Sequence, residues 1–205
     1  MSINTKVETC VVPRLGFLDA LVSCASDLAF LESQMNQLDI VTKSILTDEE
    51  KASLFGWGTD LWNNDRYALT WRNPDVKFVG YTAGRAITHS CAVLHTVTID
   101  DREVRLGGLA GVITHPDGRG KGFGGQIVNA AEDHIRTQMK ADFGVLFCHP
   151  ELIPFYEPRG WHTIRGPITI DQPEGPRETP HIVMVMPFTQ AVWQDRPLKL
   201  GSLPW

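Results

Sequence analysis

The run His115-Pro116-Asp117-Gly118-Arg119-Gly120-Lys121-Gly122-Phe123-Gly124-Gly125 constrains this chain more than any other stretch of it. It sits between an alternating, strand-like segment and a segment in which Phe123, Ile127, Ala131, Ile135 and Met139 recur at every fourth position. The second pattern is that of a helix with one buried face, running from Gly122 to about Lys140. A strand, a glycine loop and a helix start in succession leave backbone N–H groups without intrahelical partners. Those groups lie at the positive end of the helix dipole, which attracts an anion. Glycines let the anion approach the backbone, and Arg119 and Lys121 add charge. The loop therefore reads as a phosphate cradle, although a tight packing turn would use the same glycines. It is not a Walker loop, because no Gly-Lys-Ser/Thr follows. Nor is it a dinucleotide fingerprint, because the glycine spacing differs and the preceding strand is the far arm of an antiparallel hairpin.

That hairpin is legible by itself. Ile87 to Ile99 alternates, with Ile87, His89, Cys91, Val93, His95, Val97 and Ile99 on one face. Asp100-Asp101-Arg102-Glu103 is its turn and Val104 to Thr114 its return strand. His89 and His95 fall in the apolar register and are given no role. Val76 to Thr82 is a strand that turns at Ala83-Gly84-Arg85. Upstream, Leu38 to Leu46 is a strand, and Thr47 followed by Asp48, Glu49 and Glu50 opens a helix that ends near Gly56 to Gly58. Thr59 to Arg66 is a short helix or loop. Downstream come a strand from Asp142 to Cys148, a short helix from Glu151 to Pro158, and two strands, Trp161 to Ile170 and His181 to Phe188, joined by a Pro/Gly-rich loop. Leu15 to Met35 has helical period, with Leu18, Leu21, Val22, Ala25, Leu28 and Leu31 on roughly one face. The expected order is α-β-α-β-β-β-α-β-α-β-β. This is an α/β (α+β) fold, a mixed and mostly antiparallel sheet with helices on both faces. Residues 1–37 read as an N-terminal helical extension and residues 38–205 as the main domain.

Composition narrows the function. With 205 residues, 42% hydrophobic and 21% charged, the chain can bury a real core. A net charge of −5 argues against nucleic acid, which needs a basic surface, and fits a cationic small molecule better. No apolar run is long enough to span a bilayer, so no membrane partner is expected. Glu8, Asp19 and Asp27 interrupt the N-terminal apolar positions, so no secretion signal is expected there. Cys10, Cys24, Cys91 and Cys148 lack metal-ligand spacing. They read as reduced thiols of a cytoplasmic protein without a metal.

Two segments together resemble a known family. Arg119-Gly120-Lys121-Gly122-Phe123-Gly124 matches the Gln/Arg-x-x-Gly-x-Gly/Ala signature of the GNAT superfamily of acyl-CoA-dependent N-acyltransferases. Phe155-Tyr156-Glu157-Pro158-Arg159-Gly160-Trp161 looks like that superfamily's tyrosine-containing helix and the Gly-aromatic step after it. The resemblance covers about Leu38 to Phe188. A looser likeness is to the aminoglycoside 2′-N-acetyltransferases, in Gly166-Pro167, Gly175-Pro176-Arg177, Thr179-Pro180 and a terminal tryptophan, here Trp205.

The resemblance implies acetyl-CoA as co-substrate, its pyrophosphate held by Arg119, Gly120, Lys121, Gly122, Phe123, Gly124 and Gly125. The thioester would lie where the strands ending near Thr114 and Cys148 part. Backbone groups of Val112, Ile113 and Thr114 would polarise its carbonyl. Tyr156 would protonate the leaving thiolate. Asp60, Asp65, Glu178 and Trp205 would face the acceptor amine. Relatives carry a glutamate where this chain has Ala110 and an aspartate where it has Leu203, which leaves the general base unassigned. It also suggests an acceptor with fewer ammonium groups, such as kasugamycin. Three readings stay open: acetylation of an amino-sugar antibiotic, acetylation of another small amine or peptide N-terminus, and a non-catalytic acyl-CoA-binding module. The expected partner is a small-molecule amine, with a homodimer left open.

Overall fold

The computed structural model of the protein describes residues 37–205, whose main feature is a seven-stranded sheet. Its strands are β1 (Asp39–Lys43), β2 (Val76–Thr82), β3 (Arg85–Ile99), β4 (Arg102–Thr114), β5 (Phe143–Cys148), β6 (His162–Thr163) and β9 (Ile182–Pro187). They lie in the order β1-β2-β3-β4-β5-β9-β6. Only β4 and β5 run parallel; every other pair in this sheet is antiparallel. The helix read from Leu15 to Met35 lies outside the described residues.

Local chemistry explains the elements. Helix α1 (Asp48–Phe55) starts with a full capping box, Thr47 and Glu50 satisfying each other's backbone N–H groups. The β3–β4 turn places Asp100 and Asp101 at φ 51° and 59°. Two left-handed residues match the twist of a two-residue hairpin, and Asp tolerates that region better than most. Helix α2 (Phe123–Thr137) buries Ile127, Val128, Ala131 and Ile135 in one cluster with Phe78, Ala92 and Leu109, and Phe123 is buried at its start. Each of these side chains larger than alanine contributes about 1.5–3 kcal/mol when fully buried. On the opposite face α1 packs Leu54 on Val79 and Ala86.

Two neighbouring glycines show how tightly β4 is held. A Cβ on Gly107 would strike Ile135 of α2, and a Cβ on Gly108 would strike the Trp205 indole. Successive strand residues face opposite sides, so one glycine admits the helix and the next admits the C-terminal tryptophan.

The structure corrects the sequence reading in two places. Residues Ala86 to Val93 of β3 are all buried, so the alternation there does not separate a wet face from a dry one. Helices and the C-terminal segment cover both sides of this central strand, which its sequence alone cannot reveal. Trp161 to Ile170 is not one strand. The chain leaves the main sheet after Thr163, passes through Gly166 at φ 128°, and resumes as β7 (Ile168–Ile170) in a second sheet. Gly166 adopts a backbone conformation closed to other residues, and Pro167 after it cannot donate to a ladder. The second sheet has the order β10-β7-β8, with β8 (Arg177–Glu178) and β10 (Leu198–Lys199) at its edges.

Candidate functional site

The site grows from the parting of β4 and β5. Their ladder runs from Leu106↔Phe143 to Leu109↔Leu146, yet β4 continues to Thr114 and β5 to Cys148. A bulge re-aims β4 at that point. Cys91 pairs with Ala110 and His89 with Ile113, so Gly111 and Val112 together stand opposite Ser90, with Gly111 at φ 58°. The His89 ring fixes the bulge by donating from Nδ1 to the Gly111 carbonyl at 2.8 Å. The N–H of Val112 belongs to the same trans peptide and points away from His89.

Beyond the bulge lies the glycine loop. Gly122 is the N-cap of α2 at φ 77°, with no side chain capping the first turn. Gly120 has φ 75°, and a Cβ built on either glycine would meet nothing within 4 Å. Bare amides, open space above them and the positive end of a fifteen-residue helix form a cradle suited to an anion. Arg119 donates from Nε to the Thr114 carbonyl at 3.3 Å and lies over the Trp57 ring at 5.1 Å, which holds its charge beside the loop. Lys121 is exposed. The other members of the run do different work. The Phe123 side chain is 1% exposed and belongs to the core, so only its backbone faces the loop. Gly125 admits the Arg159 guanidinium, which a Cβ there would strike.

A cavity of about 540 Å³ brings Val112, Ile113, Thr114, Arg119 and Gly124 together with Tyr156. Tyr156 ends helix α3 (Ile153–Tyr156), with its ring edge-on to Phe155 and Trp161. Burial raises its phenol pKa above the usual value, and neighbouring Cys148 raises it further. The phenol therefore stays protonated through the neutral range, as a proton donor must. Burial likewise pushes the Cys148 thiol up to about 12, which keeps it uncharged and unreactive.

A second cavity, of about 440 Å³, contains Asp60, Asp65, Ala110 and Trp205. Leu61, Trp62, Asn64 and Phe147 line both cavities, so the two adjoin across these side chains. Asp60 accepts from the backbone N–H of Asn64 at 2.8 Å and of Asp65 at 3.3 Å, which shapes the turn into the short 3-10 helix Asp65–Tyr67. Trp205 is 5% exposed and donates from its indole N–H to the Val145 carbonyl at 3.2 Å. It is a core residue with one edge on the cavity. Glu178 sits exposed on β8 and lines neither cavity. Of the four residues expected on the acceptor side, Asp60, Asp65 and Trp205 meet at one cavity and Glu178 lies outside it.

Sequence reading missed a polar group at the same junction. His149 and His181 lie side by side with ring centroids 5.1 Å apart, bridged by Asn64. The histidines flank the Cys148↔Ile182 pair at the end of the β5–β9 ladder, and only that strand pairing brings them together.

The match to known proteins agrees with this geometry. Residues 46–164 match the family model described as an acetyltransferase (GNAT) domain. The chain is 29% identical over 97 residues to an aminoglycoside 2′-N-acetyltransferase of Mycolicibacterium fortuitum, covering 47% of this chain and 49% of that one. The chain thus spans about half the length of this curated relative. Among solved structures, one from Klebsiella pneumoniae described as an acyl-CoA N-acyltransferase superposes with a TM-score of 0.52 at 20% identity, covering 75% of this chain and 99% of that one. Escherichia coli ElaA gives 0.50 at 15% identity, covering 73% and 98%. At these identities the likeness to the solved structures is one of fold. The family match spans more than half of the chain, including the glycine loop and Tyr156: the protein belongs to the GNAT acetyltransferases.

Proposed function

We propose that this N-acetyltransferase acetylates an amino group of an aminoglycoside-type compound, one less cationic than most, such as kasugamycin. The observation that carries the reading is the pair of adjoining cavities. One joins the glycine loop to Tyr156, and the other presents Asp60 and Asp65 beside the Trp205 indole. Two carboxylates favour an ammonium-bearing acceptor, and an indole edge favours a ring or a cation. Ala110 and Leu203 supply no further charge, which suits an acceptor with few ammonium groups. The partial likeness to an aminoglycoside 2′-N-acetyltransferase points the same way.

The residues divide the work. The amides at Gly120, Gly122 and Gly124, with Arg119 and Lys121, hold the pyrophosphate. Acetyl-CoA supplies an activated acyl group as its thioester. Backbone groups of Val112 to Thr114 polarise the carbonyl, and such oxyanion-type donors are worth about 10²–10³-fold in rate. Tyr156 gives its proton to the leaving sulfur. The phenylalanine and tryptophan side chains between the cavities exclude water from the reacting centre. We assign this activity to residues 38–205, with residues 1–37 as an extension, and to the cytoplasm, where thiols such as Cys91 and Cys148 stay reduced.

The test is release of free CoA thiol from acetyl-CoA with kasugamycin, tobramycin, spermidine and glycine as acceptors. The reading expects kcat/KM for an aminosugar to exceed that for spermidine and glycine by at least about tenfold, or 1.4 kcal/mol in transition-state binding. A preference for spermidine or glycine would discard the aminoglycoside assignment and keep the acetyltransferase.

A further inference from the structure

The mechanism so far gives the leaving thiolate a proton but does not say where the acceptor amine's proton goes. Ala110, on the acceptor side of β4, has no acid or base. Asp60 already serves two backbone amides. Among the groups lining the Tyr156 cavity, Cys148 is held as a thiol by burial, and Glu151 is exposed. His149 has both ring nitrogens engaged, Nε2 with the Trp62 carbonyl at 2.9 Å and Nδ1 with Arg66 at 3.4 Å.

His181 differs. It is 8% exposed, and its Nε2 lies 2.9 Å from the Asn64 side-chain oxygen. The same oxygen lies 3.2 Å from His149 Nε2. An arginine can only donate to His149 Nδ1, and carbonyl oxygens can only accept, so both imidazoles carry their proton on Nε2. That leaves His181 Nδ1 as a bare lone pair, buried and without a partner among the described residues. An unmatched buried acceptor is costly, of order 1–3 kcal/mol, and native structures rarely keep one without use.

Its position fits a use. Side chains alternate along β5, so Phe147 and His149 share the face that carries Trp205, while Cys148 shares the α2 face with Tyr156. His181, beside His149, is on the Trp205 side. It nevertheless lines the cavity that contains Tyr156, and it touches Trp71 of the acceptor cavity with ring centroids 5.5 Å apart. Tyr156 and His181 thus address the β4–β5 gap from opposite faces of the sheet.

We propose that His181 is the general base of the acetyl transfer, accepting the acceptor amine's proton at Nδ1, with Asn64 and His149 as positioning residues that fix its tautomer. The amine lone pair forms the C–N bond. The C–S bond breaks with its electrons on sulfur, the N–H proton passes to His181 Nδ1, and the thiolate takes the phenolic proton of Tyr156. Solvent then returns a proton from the imidazolium to the phenolate, and the balance is amine plus thioester to amide plus thiol. Burial, with His149 and Arg66 adding, pulls the His181 pKa down to about 4, so the lone pair is free at every working pH. The Tyr67 phenol also packs on the ring, at 4.8 Å between centroids. A base this weak suffices, because an amine nitrogen becomes far more acidic once bonded to the acyl carbon.

This inference rests on the acetyl-transfer reading, and two measurements on the full chain separate the two. The first needs no acceptor. In ¹⁵N-resolved NMR at pH 7, His181 Nδ1 should resonate as an unprotonated ring nitrogen and Nε2 as a protonated one, and Asn64→Ala should mix the tautomers. A protonated Nδ1 in the wild type overturns the proposal. The second is thiol release with the best acceptor among kasugamycin, tobramycin, spermidine and glycine. His181→Ala and His181→Gln should each lose at least about 100-fold in kcat, with the acetyl-CoA KM unchanged. Added imidazole should restore at least about tenfold to the alanine variant. Gln can accept a hydrogen bond but not a proton, so a wild-type rate in His181→Gln overturns the base and leaves acetyl transfer intact. An unmoved acetyl-CoA melting shift shows that each variant is folded. No release by the wild type with any of the four amines sinks both readings.

Discussion

The two sides of the β4–β5 gap are built by different rules. The side we assign to acetyl-CoA is local: β4, the glycine loop and the start of α2 are consecutive in the chain, and the proposal gives the work to the loop's backbone. The side we assign to the acceptor is assembled from residues 60–65, 110, 147 and 205, with 149 and 181 at its border, and the proposal gives the work to its side chains. A backbone site needs particular glycines at particular spacing, which sequence displays. A side-chain site built across the sheet needs only that the strands pair, and any one of its residues looks ordinary in sequence. The acetyl-CoA side should therefore fail through single loop positions, and the acceptor side by degrees.

The largest effect should follow from Gly122→Asp. At φ 77° any side chain is strained by roughly 1–2 kcal/mol, and a carboxylate would occupy the open space above the first turn of α2. Acetyl-CoA should raise the melting temperature of the wild type by mass action. That rise should vanish in the variant, with affinity weakened by at least about 100-fold, or 2.7 kcal/mol. A folded variant with an unchanged shift would move the cradle elsewhere. Comparable in size, and read in turnover rather than affinity, is Tyr156→Phe, which removes only the hydroxyl. Turnover should fall by about 10²–10⁴-fold while acetyl-CoA binding measured by calorimetry stays within about twofold. Full turnover would dismiss Tyr156 from the chemistry, provided a pre-steady-state burst shows that product release is not limiting.

The same contrast explains what sequence could reveal. The hairpin, the turn at Asp100-Asp101, the glycine loop and α2 were legible because each is dictated within a few residues of itself. Glu178 was expected on the acceptor side from its likeness to an acid of the relatives, and the second sheet carries it outside both cavities. The second sheet was invisible because β8 and β10 are two residues long and depend on pairing with β7. The pairing of His149 with His181 is set by the β5–β9 register, and no local signal marks it.

His89 links the two regions and should show it in acid. Burial pulls its pKa down to about 4 from 6.5, partly offset by its bond to the Gly111 carbonyl. The folded pKa is depressed, so the unfolded chain binds the proton more readily. The stability this provides is present above pH 6.5 and is lost as pH falls toward 4. Between pH 7 and pH 5 it amounts to about 2 kcal/mol for a shift of this size. Urea unfolding midpoints at the two pH values measure it. His89→Gln should flatten the dependence by that amount, and an equally steep loss in the variant would assign the acid sensitivity to other groups.

The smallest effect should come from Trp205→Phe, and it tests whether the acceptor side really fails by degrees. The substitution removes the indole N–H that reaches the Val145 carbonyl, and it thins the wall between the core and the acceptor cavity. The lost bond is worth about 0.5–1.5 kcal/mol of stability. Truncation to alanine would be a worse probe, because a buried tryptophan over Gly108 costs about 3–5 kcal/mol to delete and the fold itself would answer. With phenylalanine the acceptor KM should rise about three- to tenfold, by loss of ring and cation contact. The acetyl-CoA KM should stay constant, because the cradle residues share no wall with Trp205. Equal rises for both substrates would mean that Trp205 only holds β4 and β5 in place. No rise for either would remove the C-terminal residue from recognition, and with it the strongest structural reason for placing an aminosugar ring in that cavity.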